Sequence, residues 1–598
     1  MNELILSANV VALVKSESTY GAVAAYADAD AVIFNSGTLK IDYTSVDANL
    51  MTVERGSQRK KFAYKKGTFE VTCDFALGGA DETPVAGALP QTDALLKACA
   101  MQRLQSTTIY TGTLDSGSRD AVVLPSGASS VNKFYNGLSL AVKIVAGTTQ
   151  APGSTAKNIV KLAATQAEHS GTAGGTSTTT AIKLAATAST VDDDYVGQTI
   201  VIGGEEREIT VYVGSTQIAT VGTAFGSATA GENYKIWFSD DALVGYTFGI
   251  THYTGTIIDT VDKNSSASTI FLPSSVGSAT LTGTIIDVTT GANDPERVRI
   301  KAYDIANRKA SLQTPLQVTP TSSSTFKIIE KRRIKAFDAA TKVCTLKTNL
   351  VVASVTGKDY AVEQPKNIIS YNGTTKRAEM LSPFSRNVGA ADFTINPYVM
   401  YSALPTKSGE VSCTIAFYQD GFFYELVGCK GSFVVTENNG ESVVIKFNLQ
   451  GRVNVYDDMD LPDITLSRYV PSLVQSSTNS PEMLFQGYDQ AVVHTFEVDM
   501  GLDTKYRDVD QRAFNTDHAP TLKVKIDKPL KADWDWEELM RLNGKATTCF
   551  VLGRPGNQVV TYLENTQITG ATDSDQDGVV TLDLDMMVTN GLKRLVFN

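Results

Sequence analysis

Charge is scarce in this chain. Asp, Glu, Lys and Arg make up 20% of 598 residues and leave a net charge of −11, which argues against a protein that coats nucleic acid, although a local basic patch could still bind phosphate. Long apolar runs are missing as well: none approaches the ~20 residues of a membrane-spanning helix. The opening MNELILSANVVALVK has a short apolar run with no basic residues ahead of it and no cleavage site. Neither export nor membrane anchoring is therefore expected. The six cysteines (Cys73, Cys99, Cys344, Cys413, Cys429, Cys549) form no CxxC pair and no Cys/His metal spacing. Cys73, Cys413 and Cys549 fall at apolar positions of alternating runs and read as buried free thiols. The four histidines (His169, His252, His494, His518) stand apart, and no nucleophile elbow, phosphate-binding glycine loop or zincin helix occurs. No enzymatic activity, cofactor or metal is expected.

What the chain does have is β-structure in repeating blocks. Val411 to Val453 reads as three strands separated by Asp420-Gly421 and by Glu437-Asn438-Asn439-Gly440, both hairpin turn signals. In the third strand Val443, Ile445, Phe447 and Leu449 alternate with Val444, Lys446, Asn448 and Gln450, the pattern of a sheet with one buried face. The block recurs near the C-terminus: Cys413 matches Cys549, the turn at Gly421 matches Pro555-Gly556, and the apolar set matches Val580, Leu582, Leu584 and Met586. Upstream elements repeat too. Leu39 and Ile41, a polar loop, then Phe69, Val71 and Cys73 precede a helix at about 92–101; Phe496 and Val498, a polar loop, then Leu522, Val524 and Ile526 precede one at about 533–542. Two copies of one fold are expected, with Leu39 matched to Phe496.

The two copies differ by an insertion. Between helix and hairpin the second has only Leu542 to Cys549, whereas the first has residues 105–394, a length that a surface loop tolerates. The insertion has repeats of its own. Ala121 to Leu140 matches Ala181 to Ile200 and, more briefly, Thr269 to Val288; Arg207 to Val221 recurs as Arg299 to Leu312 and Arg333 to Leu346. This order predicts continuous small β-modules at about 181–236 and 269–328, and a split module built from 121–142 and 332–362.

Lys15-Ser16-Glu17-Ser18-Thr19-Tyr20-Gly21, the strand, loop and helix from Phe69 to Gln102 ending in Leu95-Leu96-Lys97-Ala98-Cys99, the hairpin Tyr418-Gln419-Asp420-Gly421 with Gly428-Cys429-Lys430-Gly431, and the Asp-rich turn before the last strand occur in the order found in one family. Over residues 1–104 and 395–598 the chain resembles the major tail tube proteins of tailed bacteriophages. The resemblance implies a mainly β protein with two tandem tail-tube-type β-sandwich or barrel-wall domains, each with a flanking short helix: 1–104 plus 395–470, and 471–598, with 105–394 as inserted decoration modules. Val443, Ile445, Phe447, Leu449, Val580, Leu582, Leu584 and Met586 would be the barrel-wall core. It further implies a structural virion protein assembled in the host bacterial cytoplasm into stacked rings of a viral tail. Its partners would be itself and other tail proteins (tape measure, terminator, baseplate), and DNA would pass through the lumen without specific binding during genome ejection. Tail tubes use six tube domains per ring, so two per chain imply a trimeric ring with pseudo-sixfold symmetry. The lumen face would carry Lys446, Asn448, Gln450, Asp583 and Asp585, or the opposite set. Arg55, Arg59, Lys60, Lys61, Lys65 and Lys66 read as a solvated basic loop; the resemblance makes them a ring-stacking loop facing an acidic neighbour.

Two other readings stay open: a surface adhesin or carbohydrate-binding array of β-modules, which the insertion alone would fit, and a baseplate or tail-end component. Two local motifs reduce to structure. Asp573 to Gly578 imitates half of an EF-hand loop, but its twelfth position is Leu584, inside an alternating strand, so a polar turn is expected. Asp535 with Glu538 forms a capping box for a helix whose Trp536, Leu539 and Met540 should face the core.

Overall fold

A computed structural model describes residues 10–47 and 60–598, apart from 81, 152–155, 163–168, 191, 193, 228, 238–242, 244–245, 261, 277–280, 291–294, 339–340, 353–356, 386–387, 465–467, 477–481 and 508. The protein is mainly β, 55% strand and 3% helix, in several antiparallel sheets and a half-barrel. It divides into two compact units, Met1–Thr107 with Asn396–Asn598, and Thr108–Ile395.

The first unit is built from one sheet used twice. In chain order the strands that repeat are β1 (Val10–Ser16), β2 (Ser36–Asp47), β3 (Lys60–Asp74), β4 (Cys413–Gln419), β5 (Phe422–Asn438) and β6 (Val444–Asp458), then β7 (Glu482–Phe485), β8 (Val493–Asp499), β9 (Thr521–Asp527), β10 (Ala546–Arg554), β11 (Asn557–Gln576) and β12 (Val579–Val588). The first repeat pairs in the order β1-β4-β5-β6-β3-β2. The second pairs in the order β7-β10-β11-β12-β9-β8. Helices α1 (Asp93–Ala98) and α2 (Trp536–Arg541) occupy corresponding places.

Register refines the match. Ile445 faces Cys73 and Leu582 faces Ile526, so Phe69 corresponds to Leu522 and Leu39, opposite Phe69, corresponds to Val498, opposite Leu522. The expected match of Leu39 with Phe496 is two residues off; Gly37 stands at the Phe496 position. There a Cβ would meet the Phe34 ring at 2.9 Å, so a neighbouring aromatic fills the space and the apolar alternation is displaced. Counting from the turns, Gln419 matches Arg554, which pairs Cys413 with Thr548 rather than with Cys549. A one-residue offset in a strand moves a side chain to the other face, and the two cysteines lie on opposite faces. Nor are the repeats separate domains: Ile415, Phe447 and Leu449 share one core with Phe496, Leu582 and Leu584.

The second unit holds four copies of one six-stranded module. In residues 169–237 the strands His169–Thr172, Ala181–Lys183, Thr199–Ile202, Glu205–Val213, Ile218–Val221 and Asn233–Trp237 pair in the order first, sixth, third, fourth, fifth, second. The same order recurs through three further modules because the long strands Ser139–Thr148, Thr247–Thr256, Thr325–Asp338 and Asp359–Tyr371 each serve two of them. The copies share fine detail. At the start of each fourth strand a side chain accepts from a backbone N–H 21 residues on: Glu205 from Gly226, Glu296 from Gln317, Glu330 from Val351, and Gln364 from Ser385. A bulge follows at Ile209, Ile300, Ile334 and Ile368. A left-handed turn residue follows that: Gln217, Arg308, Lys342 and Lys376.

This overturns the split module of 121–142 with 332–362. Ala121–Val123 pairs with Arg377–Met380, and Tyr135 packs edge-on against Tyr371 at 4.8 Å. Phe337 belongs with Val343–Leu346 and Ile159–Lys161. Two weaker half-patterns, Asn158 to Leu162 and Gln364 to Met380, complete these modules.

The insertion leaves and re-enters the first unit at one hairpin. Ser106 of Met101–Ser106 lies opposite Tyr398 of Tyr398–Ala403, a cross-strand separation of about 5 Å that a two-residue turn can close. Replacing 107–397 by Asn-Gly is expected to leave the first unit folded, with a single cooperative melt by circular dichroism. Loss of that melt would make the modules part of the core's stability.

Candidate assembly interface

The two repeats meet edge to edge. The far half of β5 pairs antiparallel with β8: Val434 opposite Asp499, Val435 opposite Val498, Thr436 opposite Glu497, Glu437 opposite Phe496, and Asn438 opposite Thr495. Beyond β8 the chain forms the hairpin Leu502–Arg507 with Arg512–His518, whose base is tied to β5 by Met500 N–H to Phe433 O (3.1 Å) and Leu502 N–H to Ser432 Oγ (3.1 Å). The Lys15-to-Gly21 motif finds its physical reason here. The Glu17 carboxylate, 7% exposed, accepts from Gly21 N–H (2.7 Å), Ser412 Oγ (2.6 Å), Thr414 Oγ1 (3.0 Å) and Gly428 N–H (2.7 Å). That network sets Tyr20 against the second repeat's hairpin. The Tyr20 hydroxyl accepts from Ala513 N–H (2.7 Å), Arg512 lies 4.4 Å over its ring, and burial pushes its pKa up to about 12. Gly428 has a left-handed φ of 66°, and a Cβ there would meet the Tyr20 ring at 2.8 Å. A Glu17→Ala change is expected to lower stability by about 3 kcal/mol, since several buried donors lose their acceptor together; a urea melt measures it, and an unchanged midpoint would refute the role.

The counterparts of the two strands at this joint have edges without a strand partner. Among the described residues β2 pairs only with β3, and past Thr566 β11 pairs only with β12. Burial follows this difference. Val443 is 2% exposed, but Val580, its counterpart, is 54% exposed and Val579 beside it 51%. Val580 is therefore not a core residue of the isolated chain, contrary to the sequence expectation; Val443, Ile445, Phe447, Leu449, Leu582, Leu584 and Met586 are buried. Sequence alternation marks which face a residue takes but not whether a neighbour covers the end of its strand.

The basic cluster is arranged differently from a loop. Lys60, Lys61, Lys65 and Lys66 belong to β3, paired with β2; Arg55 and Arg59 lie outside the described residues. Lys65 is exposed and Lys66 half-buried. On the sheet's open face Lys446, Asn448 and Asp585 are exposed, and Gln450 and Asp583 half-buried. That face carries both signs, with Lys446 beside Glu70 at 3.5 Å and Lys523 beside Glu497 at 3.9 Å.

Other motifs settle as structure. β11 runs through Gln576, and Asp577 and Gly578, both left-handed, form the tight turn into β12; Asp573 pairs with Lys528 at 2.6 Å. Asp535 caps α2 by accepting from Glu538 N–H; Trp536 and Leu539 pack half-buried against the core as expected, whereas Met540 is exposed, and the more deeply buried tryptophan is Trp534, stacked on Tyr488. In the second unit a cavity of about 850 Å³ is lined by Lys143, Asp287, Arg297, Lys331 and Glu363. Two of its ion pairs are internal, Arg297 with Asp287 at 2.8 Å and Lys331 with Glu363 at 2.6 Å. Among the described residues no His, Cys, Asp and Glu group could hold a metal ion, and no helix is long and apolar enough to cross a membrane.

No family model and no curated protein matches this sequence.

Proposed function

We propose that this chain is a structural subunit of a bacteriophage tail tube, with its duplicated sheet serving as two consecutive segments of a ring wall. The observation that carries the reading is the internal joint. Two copies of a six-stranded sheet with the same strand order meet through β5 and β8, and among the described residues β2 and the far half of β11 each keep an edge with no strand partner. Unpaired edges invite further pairing, and closing them into a ring removes them. Three chains would supply six segments. The sheet's polar face, with Lys446, Asn448, Gln450, Asp583 and Asp585, would line a conduit that DNA slides through, since mixed charge gives phosphate no continuous basic track.

The test is electron microscopy of the purified full chain. Rings or tubes with threefold outer and pseudo-sixfold inner symmetry support the reading; dispersed monomers under all conditions, or six chains per ring, refute it. The chained modules of the insertion favour a second reading, a surface adhesin or carbohydrate-binding array, which predicts glycan binding by a chain that forms no rings. A baseplate or tail-end role predicts rings that do not stack.

A further inference from the structure

We infer that β2 of one copy of this chain completes the sheet of the next by pairing with the far half of β11, in the register of the internal joint. The inference rests on the ring reading and specifies its contact. Because the strands that form the joint correspond residue by residue over its length, the joint can be transposed. Val434, Val435, Thr436, Glu437 and Asn438 of β5 correspond to Thr572, Asp573, Ser574, Asp575 and Gln576 of β11. Asp499, Val498, Glu497, Phe496 and Thr495 of β8 correspond to Lys40, Leu39, Thr38, Gly37 and Ser36 of β2. The joint between copies then sets Lys40 opposite Thr572, Leu39 opposite Asp573, Thr38 opposite Ser574, Gly37 opposite Asp575, and Ser36 opposite Gln576.

Three observations support this occupant. First, both edges are unpaired among the described residues, and each is the counterpart of an edge that the joint within the chain uses. Second, apolar side chains lie open where a second copy would cover them. Val498 is fully buried while its counterpart Leu39 is only half-buried, and Val579 and Val580 lie open beside the β11 edge. Third, the charges are complementary. The β11–β12 hairpin carries Asp575, Asp577, Asp583 and Asp585 besides Asp573, which meets Lys528, and the β2–β3 arm carries Lys65 and Lys66 besides Lys40, which meets Asp42. In the internal joint the equivalent arm folds back over β5 and β6, so the transposed arm would lie over Gly570 and Asp585. The basic residues assigned by sequence to stacking between rings would then meet a neighbour within the ring.

Register-specific cysteine pairs in the full chain test this. Thr38→Cys with Ser574→Cys places two thiols directly opposite on one face, within disulfide reach; Thr38→Cys with Asp573→Cys places them on opposite faces. The six native cysteines are buried, and burial pushes the thiols of Cys73 and Cys344 up to about 12, so they stay unreactive. After mild oxidation, non-reducing electrophoresis should convert most of the first variant to covalent dimers and trimers and leave the second as single chains. Rings seen by microscopy with the first variant uncrosslinked, or with the second crosslinked instead, overturn the register while the ring reading stands. Absence of both rings and crosslinks overturns the ring reading and this inference with it.

Discussion

Ile445→Asp and Leu582→Asp should each abolish folding of the first unit, and to the same degree. Both side chains are fully buried, at matched positions of β6 and β12, in one core to which both repeats contribute. A carboxylate there would be desolvated without a partner, or would be buried protonated at the cost of the lost packing; either route costs about 4 kcal/mol or more. That is comparable to the whole stability of an ordinary domain. Soluble yield and the urea midpoint of each variant measure the effect. Were Leu582→Asp tolerated while Ile445→Asp was not, the second repeat would be an appendage and not an equal part of the wall.

The second large effect concerns Glu437, on β5 at the internal joint. Its carboxyl is 1% exposed, neither oxygen has a partner among the described residues, and burial pushes its pKa up to about 8. In the unfolded chain the group ionises near its usual 4.5. Between those values the unfolded state has lost the proton and the folded state keeps it, so stability falls as pH rises through the window and levels off above about 8. At about 1.4 kcal/mol per pH unit the loss reaches at most about 5 kcal/mol. A Glu437→Leu variant should show a much flatter dependence and a higher melting temperature at pH 8. Parallel wild-type and variant profiles between pH 5 and 8 would refute the assignment. In the ring reading the corresponding site between copies carries Asp575, which is exposed in the single chain, so the joint within the chain should be the more pH-sensitive of the two.

The alternation of Val443 to Leu449 and the turn at Asp420-Gly421 were legible because a half-buried antiparallel strand imposes a period of two and a tight turn demands left-handed residues. The duplication was legible for the same reason, but its register was not. Gly37 and Phe34 together do what Phe496 does alone, and a contact supplied by a neighbour in space leaves no mark at the aligned position. In the insertion, two of the four modules were legible as continuous stretches. The other two are threaded through their neighbours, so that Ile159–Lys161 finds its partner only at Val343–Leu346. Their signature, an acidic or amide side chain closing a loop 21 residues on, crosses no short window. The candidate interface was the least legible part. Val580 looks like Val443 in sequence and differs from it only in what lies beside it.

The shared strands of the insertion have a mechanical meaning. Ser139–Thr148 with Asp359–Tyr371, and Thr247–Thr256 with Thr325–Asp338, are antiparallel pairs that pass from one module into the next along a continuous backbone, with one bulge in each ladder, at Lys143–Val145 and at Thr251–Tyr253. Ile285–Thr289 with Glu296–Asp304 ends the series. Separate domains on a string give way one at a time at their linkers. Here a pull on the last hairpin would load the ladders of successive modules in shear and together, so the three modules that share strands should respond to force as one stiff ribbon, and the module at 169–237, a sheet of its own, should give way separately. A further module could be added at the terminal hairpin without disturbing any ladder below it.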